Sequence, residues 1–221
     1  INVHSQYFNN LDKFLDVYKA SFDYIDEAAS KHKIKVFKGL EVDYFPSAQW
    51  NNLFEKIIKE LNPDYLIGAT HFIRTEDEKS LYHIYHLDKL PCISEEEKDE
   101  LVRNYWKNVE LCIRSGYFKF IAHPDYCCQF DLAVKPEWND IKYKVIETFA
   151  STKTPCEINT GGIARIGRPY PDWWIIKELI KNNVPLLISD DAHEVKDTGR
   201  YFSEVEDKLK ELGCKKRLTS L

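Results

Sequence analysis

The feature that most restricts the fold of this chain is a regular alternation of strand-like and helix-like segments. Five short segments rich in β-branched and aromatic residues are each followed by a longer segment with helical periodicity. The strand-like segments are 34–45, 65–73, 118–125, 156–163 and the run that begins at residue 186. Repeated strand–helix units build parallel sheets covered by helices. The sequence therefore predicts an α/β fold.

Helical segments are indicated by apolar residues that recur with a period near 3.6 and by residues typical of helix ends. Ser47 is a suitable cap for one helix, and Ser94 with Glu97 forms a capping box at the start of another. Between helices, the polar segment 74–93 is predicted to be irregular. The predicted helices are 8–32, 47–61, 94–115, 136–151, 172–182 and 199–212.

Parallel strand–helix units form either a doubly wound sheet or a barrel. No Gly-x-Gly-x-x-Gly sequence follows the first strand, which disfavours a dinucleotide-binding sheet. In a barrel, the carboxyl ends of all strands surround one mouth, where active sites form. We see no linker or change in composition, and we therefore expect residues 1–221 to form a single barrel-like domain.

Composition excludes several classes of protein. The formal net charge is −5 and the charges are dispersed, which argues against nucleic acid as a partner. No apolar run approaches the length of a membrane span, and residues 1–20 lack the apolar core of a signal peptide. The six cysteines form no Cys-x-x-Cys pair and are expected to be reduced thiols of a cytoplasmic protein. Methionine is absent and the chain starts at Ile1, so we expect its natural N-terminus to be missing.

Potential metal ligands or hydrogen-bonding residues follow each predicted strand. Because parallel strands end at one edge, these side chains are expected to lie close together. A mixture of imidazole and carboxylate favours Mn, Fe or Zn over Ca or Mg, and the absence of cysteine argues against a structural thiolate zinc site. Each residue taken alone is more often an ordinary solvated or core residue than a ligand. The strand-end residues are Glu41, His71, His123, Asn159, Asp191 and His193.

The last strand-like run continues into Ser189-Asp190-Asp191-Ala192-His193. Its apolar part is predicted to be a strand buried on both faces. In an extended backbone, Asp191 and His193 would point to the same side and could bind one metal ion. The alternative is an aspartate-rich loop with a solvated histidine.

Metal ions at such a cluster would suit hydrolysis of a phosphate ester, since a metal-bound water loses a proton near neutral pH. Arg165 and Arg168 follow the fourth strand on a predicted loop and could contact phosphate oxygens, although two solvated loop arginines are an equal alternative. His83 and His86 lie in the polar segment and could contact metal or substrate, but a surface loop is the favoured interpretation there.

Five motifs occur in the order found in the PHP-type histidinol-phosphatases, which this chain resembles over residues 8–200. The motifs are Gly-Leu-Glu-Val-Asp-Tyr-Phe-Pro at 39–46, Gly-Ala-Thr-His-Phe-Ile at 68–73, Ala-His-Pro-Asp at 122–125, Glu-Ile-Asn-Thr at 157–160 and Asp-Ala-His at 191–193. The resemblance implies a distorted (βα)7 TIM-like barrel that holds up to three divalent metal ions (Mn, Fe or Zn). It also implies hydrolysis of L-histidinol phosphate, a small-molecule substrate, to L-histidinol and phosphate in histidine biosynthesis.

Roles are implied for individual residues by the same resemblance. Glu41 would bridge two metals and Asp191 would bind the second metal and transfer a proton, which makes these two the catalytic residues. His71 and His123 would be further ligands of one metal, and His193 a ligand of the third. Arg165 would contact phosphate.

The chain departs from the family pattern at its start. The His-x-His and Thr-Asp-His strand-end motifs of the family are absent, and Asn2-Val3-His4-Ser5 resembles the first only faintly. We therefore expect the first two barrel strands to be missing from this chain. Two alternatives remain, namely a PHP-type phosphoesterase for another small phosphate ester and a non-catalytic metal-binding remnant. The sequence gives no indication of the oligomeric state.

Overall fold

A computed structural model of the chain describes residues 10–74, 81–84, 94–130 and 133–219. The strands in chain order are β1 (Gly39–Asp43), β2 (Tyr65–Ala69), β3 (Phe72–Arg74), β4 (Leu81–His83), β5 (Phe120–Ile121), β6 (Cys156–Asn159) and β7 (Leu186–Ser189). Five of them form a parallel sheet in the order β1-β2-β5-β6-β7, while β3 and β4 form a separate antiparallel pair. The α/β fold with a parallel sheet is thus confirmed.

The helices agree with the sequence prediction in number and position, apart from one short helix that it missed. They are α1 (Leu11–His32), α2 (Ala48–Leu61), α3 (Glu95–Arg114), α4 (Asn139–Thr152), α5 (Gly161–Ile166), α6 (Trp173–Lys181) and α7 (Phe202–Glu211). The Ser47 hydroxyl accepts the Trp50 backbone N–H at 3.1 Å, as expected for a cap. The capping box is also present, with Ser94 and Glu97 each accepting the other's backbone N–H.

The order of the parallel strands follows their order in the chain, as it does in a barrel, whereas a doubly wound sheet reverses its order at one point. Within the described residues, however, the sheet is open, so the closed (βα)7 barrel is not confirmed. At the outer edge of β7, the Leu186 N–H donates to the Lys216 carbonyl at 3.0 Å and the Leu218 N–H donates to the Leu186 carbonyl at 2.8 Å. The segment after α7 therefore covers this edge.

Several predicted strands extend beyond the strands of the structure, at one end or the other. Residues 34–38 do not join β1: pairing with β2 begins at Gly39 opposite Tyr65, and the Lys38 N–H just before it donates to the Asp64 side chain at 2.7 Å. The predicted strand 65–73 divides into β2 and β3 at Thr70 and His71. The strand predicted at 156–163 ends at Asn159, and the glycines that follow begin α5.

Two predictions about exposure and regularity were also wrong. β7 is fully buried only at Leu186, and its remaining residues are half-buried, so it is not a strand buried on both faces. In the polar segment 74–93, residues 81–83 form β4, and they pair with β3 through a short antiparallel ladder.

The core lies between the sheet and the helices that cover it and combines aliphatic side chains with large aromatic ones. Tyr105 and Trp106 of α3, Phe149 of α4 and Ile158 of β6 are almost completely buried. This packing fixes the strands whose carboxyl ends carry the candidate ligands. No helix in the described part of the chain is both long and apolar enough to cross a membrane.

Candidate metal centre

Three of the predicted ligands lie together at the carboxyl edge of the sheet. Glu41 belongs to β1, His71 follows β2 and His123 follows β5, so three neighbouring strands each contribute one side chain. Glu41 Oε1 lies 3.4 Å from His71 Nε2 and 3.3 Å from His123 Nε2. One potential ligand atom from each of the three residues lies within 4.8 Å of the others.

The spacing of these atoms fits a divalent transition metal. Zinc bonds to nitrogen and oxygen are roughly 2.0–2.1 Å long, and a tetrahedral arrangement then separates neighbouring ligand atoms by about 3.3 Å. The two distances from Glu41 Oε1 match that value. Two imidazoles and one carboxylate also form the ligand set of catalytic zinc sites, which leave a position open for water or substrate. These residues therefore fit a metal ion of the Mn, Fe or Zn type.

His71 is oriented by a carboxylate on the neighbouring strand. Asp43 Oδ1 accepts the backbone N–H of His71 at 2.7 Å and lies 3.1 Å from its Nδ1. Asp43 is nearly buried, so this contact is shielded from solvent. Sequence reasoning did not assign this role to Asp43, although Glu41 and Asp43 are two residues apart on one strand and therefore share a face.

His123 is held in an unusual backbone conformation. Its φ is +28°, a left-handed value that a residue with a side chain adopts at a cost of order 1–3 kcal/mol. Its N–H donates to Oε2 of the buried Glu157 at 2.7 Å, and its carbonyl accepts the Tyr126 N–H at 3.0 Å. His123 is 2% exposed, so its imidazole is nearly enclosed by protein.

The charges of Glu41 and His123 are strongly coupled. Burial disfavours ionisation of Glu41, but its hydrogen bond and attraction to His123 lower its pKa to about 2. Burial also disfavours protonation of His123, yet the same contact with Glu41 raises its pKa to about 9. The ionised Glu41 carboxylate therefore stabilises a positive charge beside it, whether that charge is a proton on His123 or a bound cation.

Asp191 and His193 are placed differently from the three clustered residues. Asp191 has a φ of +48°, so the extended backbone assumed for this pair is wrong. The Asp191 carboxylate accepts the Asn159 side-chain N–H at 3.2 Å and lies near enough to His123 to contribute to its raised pKa. The His193 side chain is 73% exposed, with Nδ1 3.7 Å from Asp191 Oδ1. Neither belongs to the three-residue cluster, and their roles as metal ligands stay predictions.

The two predicted phosphate contacts differ in their surroundings. Arg165 lies in α5 rather than on a loop, is exposed, and donates from Nη1 to the Tyr126 hydroxyl at 3.2 Å. The Tyr126 ring lies 5.1 Å from the His123 ring and 5.7 Å from the His71 ring, so Arg165 is connected to the cluster. Tyr126 was not identified from the sequence, where nothing distinguished it from a core aromatic residue.

Arg168, in contrast, is surrounded by protein acceptors. Its guanidinium forms ion pairs at 3.1 Å with both Asp125 and Asp172 and donates to the Cys128 carbonyl at 2.9 Å. Asp125 is completely buried, so Arg168 neutralises an enclosed carboxylate. These contacts occupy the groups that a phosphate would need.

The histidines of the polar segment lie outside the cluster or outside the described residues. His83 is on β4, where its ring packs against Phe72 at 4.7 Å and lies 6.4 Å from the His71 ring. His86 is not among the residues that the structure describes.

Comparisons with known proteins agree with the resemblance seen in the motifs. No family model matches the chain. A Thermotoga maritima protein named probable histidinol-phosphatase is 31% identical over 113 residues, which are 51% of this chain and 48% of that protein. A Deinococcus radiodurans protein of the same name is 25% identical over 186 residues, which are 82% of this chain and 66% of that protein. The chain is related to these proteins and spans about half to two thirds of their length.

Solved structures show the same fold. A proposed histidinol phosphatase from Listeria monocytogenes has a TM-score of 0.66 at 18% identity. The match covers 86% of this chain and 75% of that one. A histidinol phosphate phosphatase from Lactococcus lactis, complexed with zinc, L-histidinol and phosphate, has a TM-score of 0.64 at 16% identity. The match to the Lactococcus protein covers 89% of this chain and 74% of that one.

Proposed function

We propose that this protein is a metal-dependent phosphomonoesterase of the histidinol-phosphatase type, which hydrolyses L-histidinol phosphate to L-histidinol and phosphate. The observation that carries the proposal is the cluster of Glu41, His71 and His123, whose spacing suits a transition metal. It is supported by relatives named probable histidinol-phosphatase and by the Lactococcus neighbour, which binds zinc, L-histidinol and phosphate.

A divalent metal bound at this cluster would polarise a phosphate oxygen and provide a hydroxide from bound water near neutral pH. Ionised Glu41 and the neutral imidazoles of His71 and His123 would supply one of the ligand sets known for catalytic zinc sites, two histidines and one carboxylate. Asp191, held by the Asn159 amide, is our candidate for accepting the proton of the attacking water. Further metal ions, up to the three implied by the family, would require ligands in addition to this cluster.

Arg165 is our candidate for binding the phosphate group. Its guanidinium is exposed, contacts Tyr126 beside both cluster histidines, and offers several N–H donors to phosphate oxygens. We assign no substrate contact to Arg168, because its ion pairs with Asp125 and Asp172 give it a structural role.

A cytoplasmic location is also part of this proposal. It is supported by the relatives named as histidinol-phosphatases, and a reducing compartment is compatible with the free cysteines of the described residues. These cysteines are Cys112, Cys127, Cys128, Cys156 and Cys214.

The proposal is tested by measuring the metal content and the phosphatase activity of the purified chain with Glu41→Gln as the main variant. We expect metal bound to the wild-type protein and phosphate release from L-histidinol phosphate in the presence of Mn²⁺ or Zn²⁺. Glu41→Gln should reduce both strongly, because it removes the anionic ligand. Glu60→Gln is a matched control, since Glu60 is exposed and its ion pair with Lys19 lies on the surface of α1 and α2.

Three results would contradict the proposal in different ways. Metal binding with release from other phosphate esters but not from L-histidinol phosphate would support a related phosphoesterase. Metal binding without any phosphate release would support a non-catalytic metal-binding remnant. Full activity of Glu41→Gln would show that the site is placed wrongly.

A further inference from the structure

Glu157 is a buried carboxylate beside the metal cluster that the proposed chemistry does not use. It lies within β6, is 4% exposed, and does not belong to the three-residue ligand cluster. A carboxylate is costly to bury unless hydrogen bonds satisfy its oxygens. Its contacts therefore indicate what it does.

Those contacts connect three neighbouring strands at the carboxyl edge of the sheet. Glu157 Oε2 accepts the backbone N–H of His123, which follows β5, at 2.7 Å. The Ser189 hydroxyl at the end of β7 lies close enough to the Glu157 carboxylate to favour its ionised form. The carboxylate thus holds the point at which the chain leaves the sheet after β5.

The backbone N–H of His123 needs this acceptor because the sheet provides none. The Ala122 N–H still donates to the Gly68 carbonyl of β2 at 2.9 Å, as in a regular parallel pair. At His123 the backbone turns into the left-handed region, and its N–H donates to the side chain of Glu157 instead. A buried N–H without a partner would be unfavourable, so this bond stabilises the turn.

The direction of the His123 imidazole depends on that turn. The left-handed φ sets the direction of the bond from Cα to Cβ, and in this conformation Nε2 lies 3.3 Å from Glu41 Oε1. A relaxed backbone at His123 would point the ring elsewhere and separate the two ligand atoms.

We infer that Glu157 is a positioning residue, whose hydrogen bond to the His123 backbone holds the imidazole in place for metal binding. The inference rests on the proposed metal centre. The alternative is that Glu157 acts through its negative charge, which lies near both His123 and Glu41 and would attract a metal ion without any role for the hydrogen bond.

Two variants separate the hydrogen bond from the charge. Glu157→Gln keeps the length of the side chain and an oxygen that can accept the His123 N–H, but it removes the charge. Glu157→Asp keeps the charge, but it is shorter by one methylene and cannot reach the His123 N–H without movement of the backbone. If one variant fails to fold, the other still separates the two explanations, because they predict opposite effects of that variant on the affinity for metal.

The matched control is Asp64→Ala. Asp64 Oδ2 accepts the backbone N–H of Lys38 at 2.7 Å, which is the same type of bond at the same distance. That bond lies before the start of β1, at the opposite edge of the sheet from the metal cluster. Its loss should lower the melting temperature without changing the affinity for metal.

The experiment measures the dissociation constant for Zn²⁺ by chelator competition and the visible absorption of the Co²⁺-loaded full chain. We expect Glu157→Asp to weaken Zn²⁺ binding by about 10–100-fold, as is typical for partners that orient ligands, and to alter the Co²⁺ absorption. The Zn²⁺ dissociation constant of Glu157→Gln should stay within about threefold of the wild-type value, because the glutamine oxygen can still accept the His123 N–H.

If Glu157→Gln bound Zn²⁺ more weakly than Glu157→Asp, the inference would be overturned in favour of the explanation by charge. Equal affinities of the wild-type protein and both variants would also overturn it while leaving the metal centre intact. A wild-type chain that binds neither Zn²⁺ nor Co²⁺ would remove the metal centre itself, and the inference with it.

Discussion

One carboxylate oxygen of Asp43 contacts His71 twice, at 2.7 Å from its backbone nitrogen and at 3.1 Å from its Nδ1. The backbone contact fixes the position of His71 where the chain leaves β2. The contact with Nδ1 favours the tautomer that carries its proton there, which leaves the lone pair on Nε2. That nitrogen lies 3.4 Å from Glu41 Oε1, so Asp43 prepares His71 to bind a metal ion.

Replacing Asp43 by alanine should therefore weaken metal binding. Loss of both contacts frees the His71 ring and its tautomer, and we expect the Zn²⁺ dissociation constant to rise by about 10–100-fold. The Trp50 indole donates to the backbone carbonyl of Asp43 at 3.1 Å, and this bond is retained in the variant. Chelator competition on wild-type protein and Asp43→Ala provides the test, and equal dissociation constants would disprove the role.

Local patterns in the sequence predicted most secondary structure because their physical causes are local. The capping box of Ser94 and Glu97 involves residues three positions apart, and the structure contains both of its hydrogen bonds. The strand–helix alternation likewise predicted the parallel sheet and placed Glu41, His71 and His123 at one edge. The same reasoning also grouped Asp191 and His193 with these three residues, and neither belongs to the cluster in the described residues.

Other features depend on contacts between residues far apart in the chain and could not be predicted. The left-handed backbone of His123 is supported by Glu157, which is 34 positions away. Asp191 also has a positive φ, which no neighbouring glycine signalled, and this changed the expected relation between Asp191 and His193. Whether the sheet closes depends on strand pairing across the whole chain, which the alternation of segments does not determine.

The two arginines of the fourth strand–helix connection should respond differently to alanine substitution. Arg168→Ala leaves the buried carboxylate of Asp125 without its ion pair, and we expect a loss of about 3 kcal/mol in the free energy of unfolding. Arg165→Ala removes an exposed side chain and should change that energy by only about 0.5 kcal/mol.

The effects of the two substitutions on phosphate binding should be reversed, with the larger effect in Arg165→Ala. Arg165→Ala should weaken competitive inhibition by inorganic phosphate by about tenfold or more, since a charged hydrogen bond contributes about 1.5–3 kcal/mol. Folded Arg168→Ala should retain the wild-type inhibition constant. Urea unfolding and steady-state kinetics measure the two effects, and weaker phosphate inhibition in Arg168→Ala alone would reverse our assignment.

Asn159→Asp tests the positioning of Asp191. The Asn159 amide donates to Asp191 Oδ2 at 3.2 Å, while its own oxygen accepts the Gly161 N–H at 2.8 Å. An aspartate at this position keeps the bond from Gly161 but turns a carboxylate toward Asp191, so the two negative charges repel each other.

We expect Asn159→Asp to lower the rate of phosphate release by about 10²-fold or more, the typical contribution of a group that accepts a proton. Asn139→Asp is the control, because it makes the same change in charge at an exposed site at the start of α4. An unchanged rate for Asn159→Asp would show that the reaction does not depend on the position of Asp191.

The contact between α3 and α4 should give the protein a specific sensitivity to acid through Glu110. Burial opposes ionisation of Glu110, but hydrogen bonds from Lys144 and Arg114 outweigh it and lower its pKa below the ordinary value of 4.5. Because the pKa is lower in the folded protein, the stabilisation is complete above pH 4.5 and is lost as the pH falls through the folded value. Glu110→Gln should therefore be less stable than wild type by about 0.5–1 kcal/mol at pH 7, where its exposed partners are screened by solvent. Urea unfolding at pH 7 and at pH 3 should show that this difference shrinks in acid, and an equal difference at both values would exclude the ion pairs as its cause.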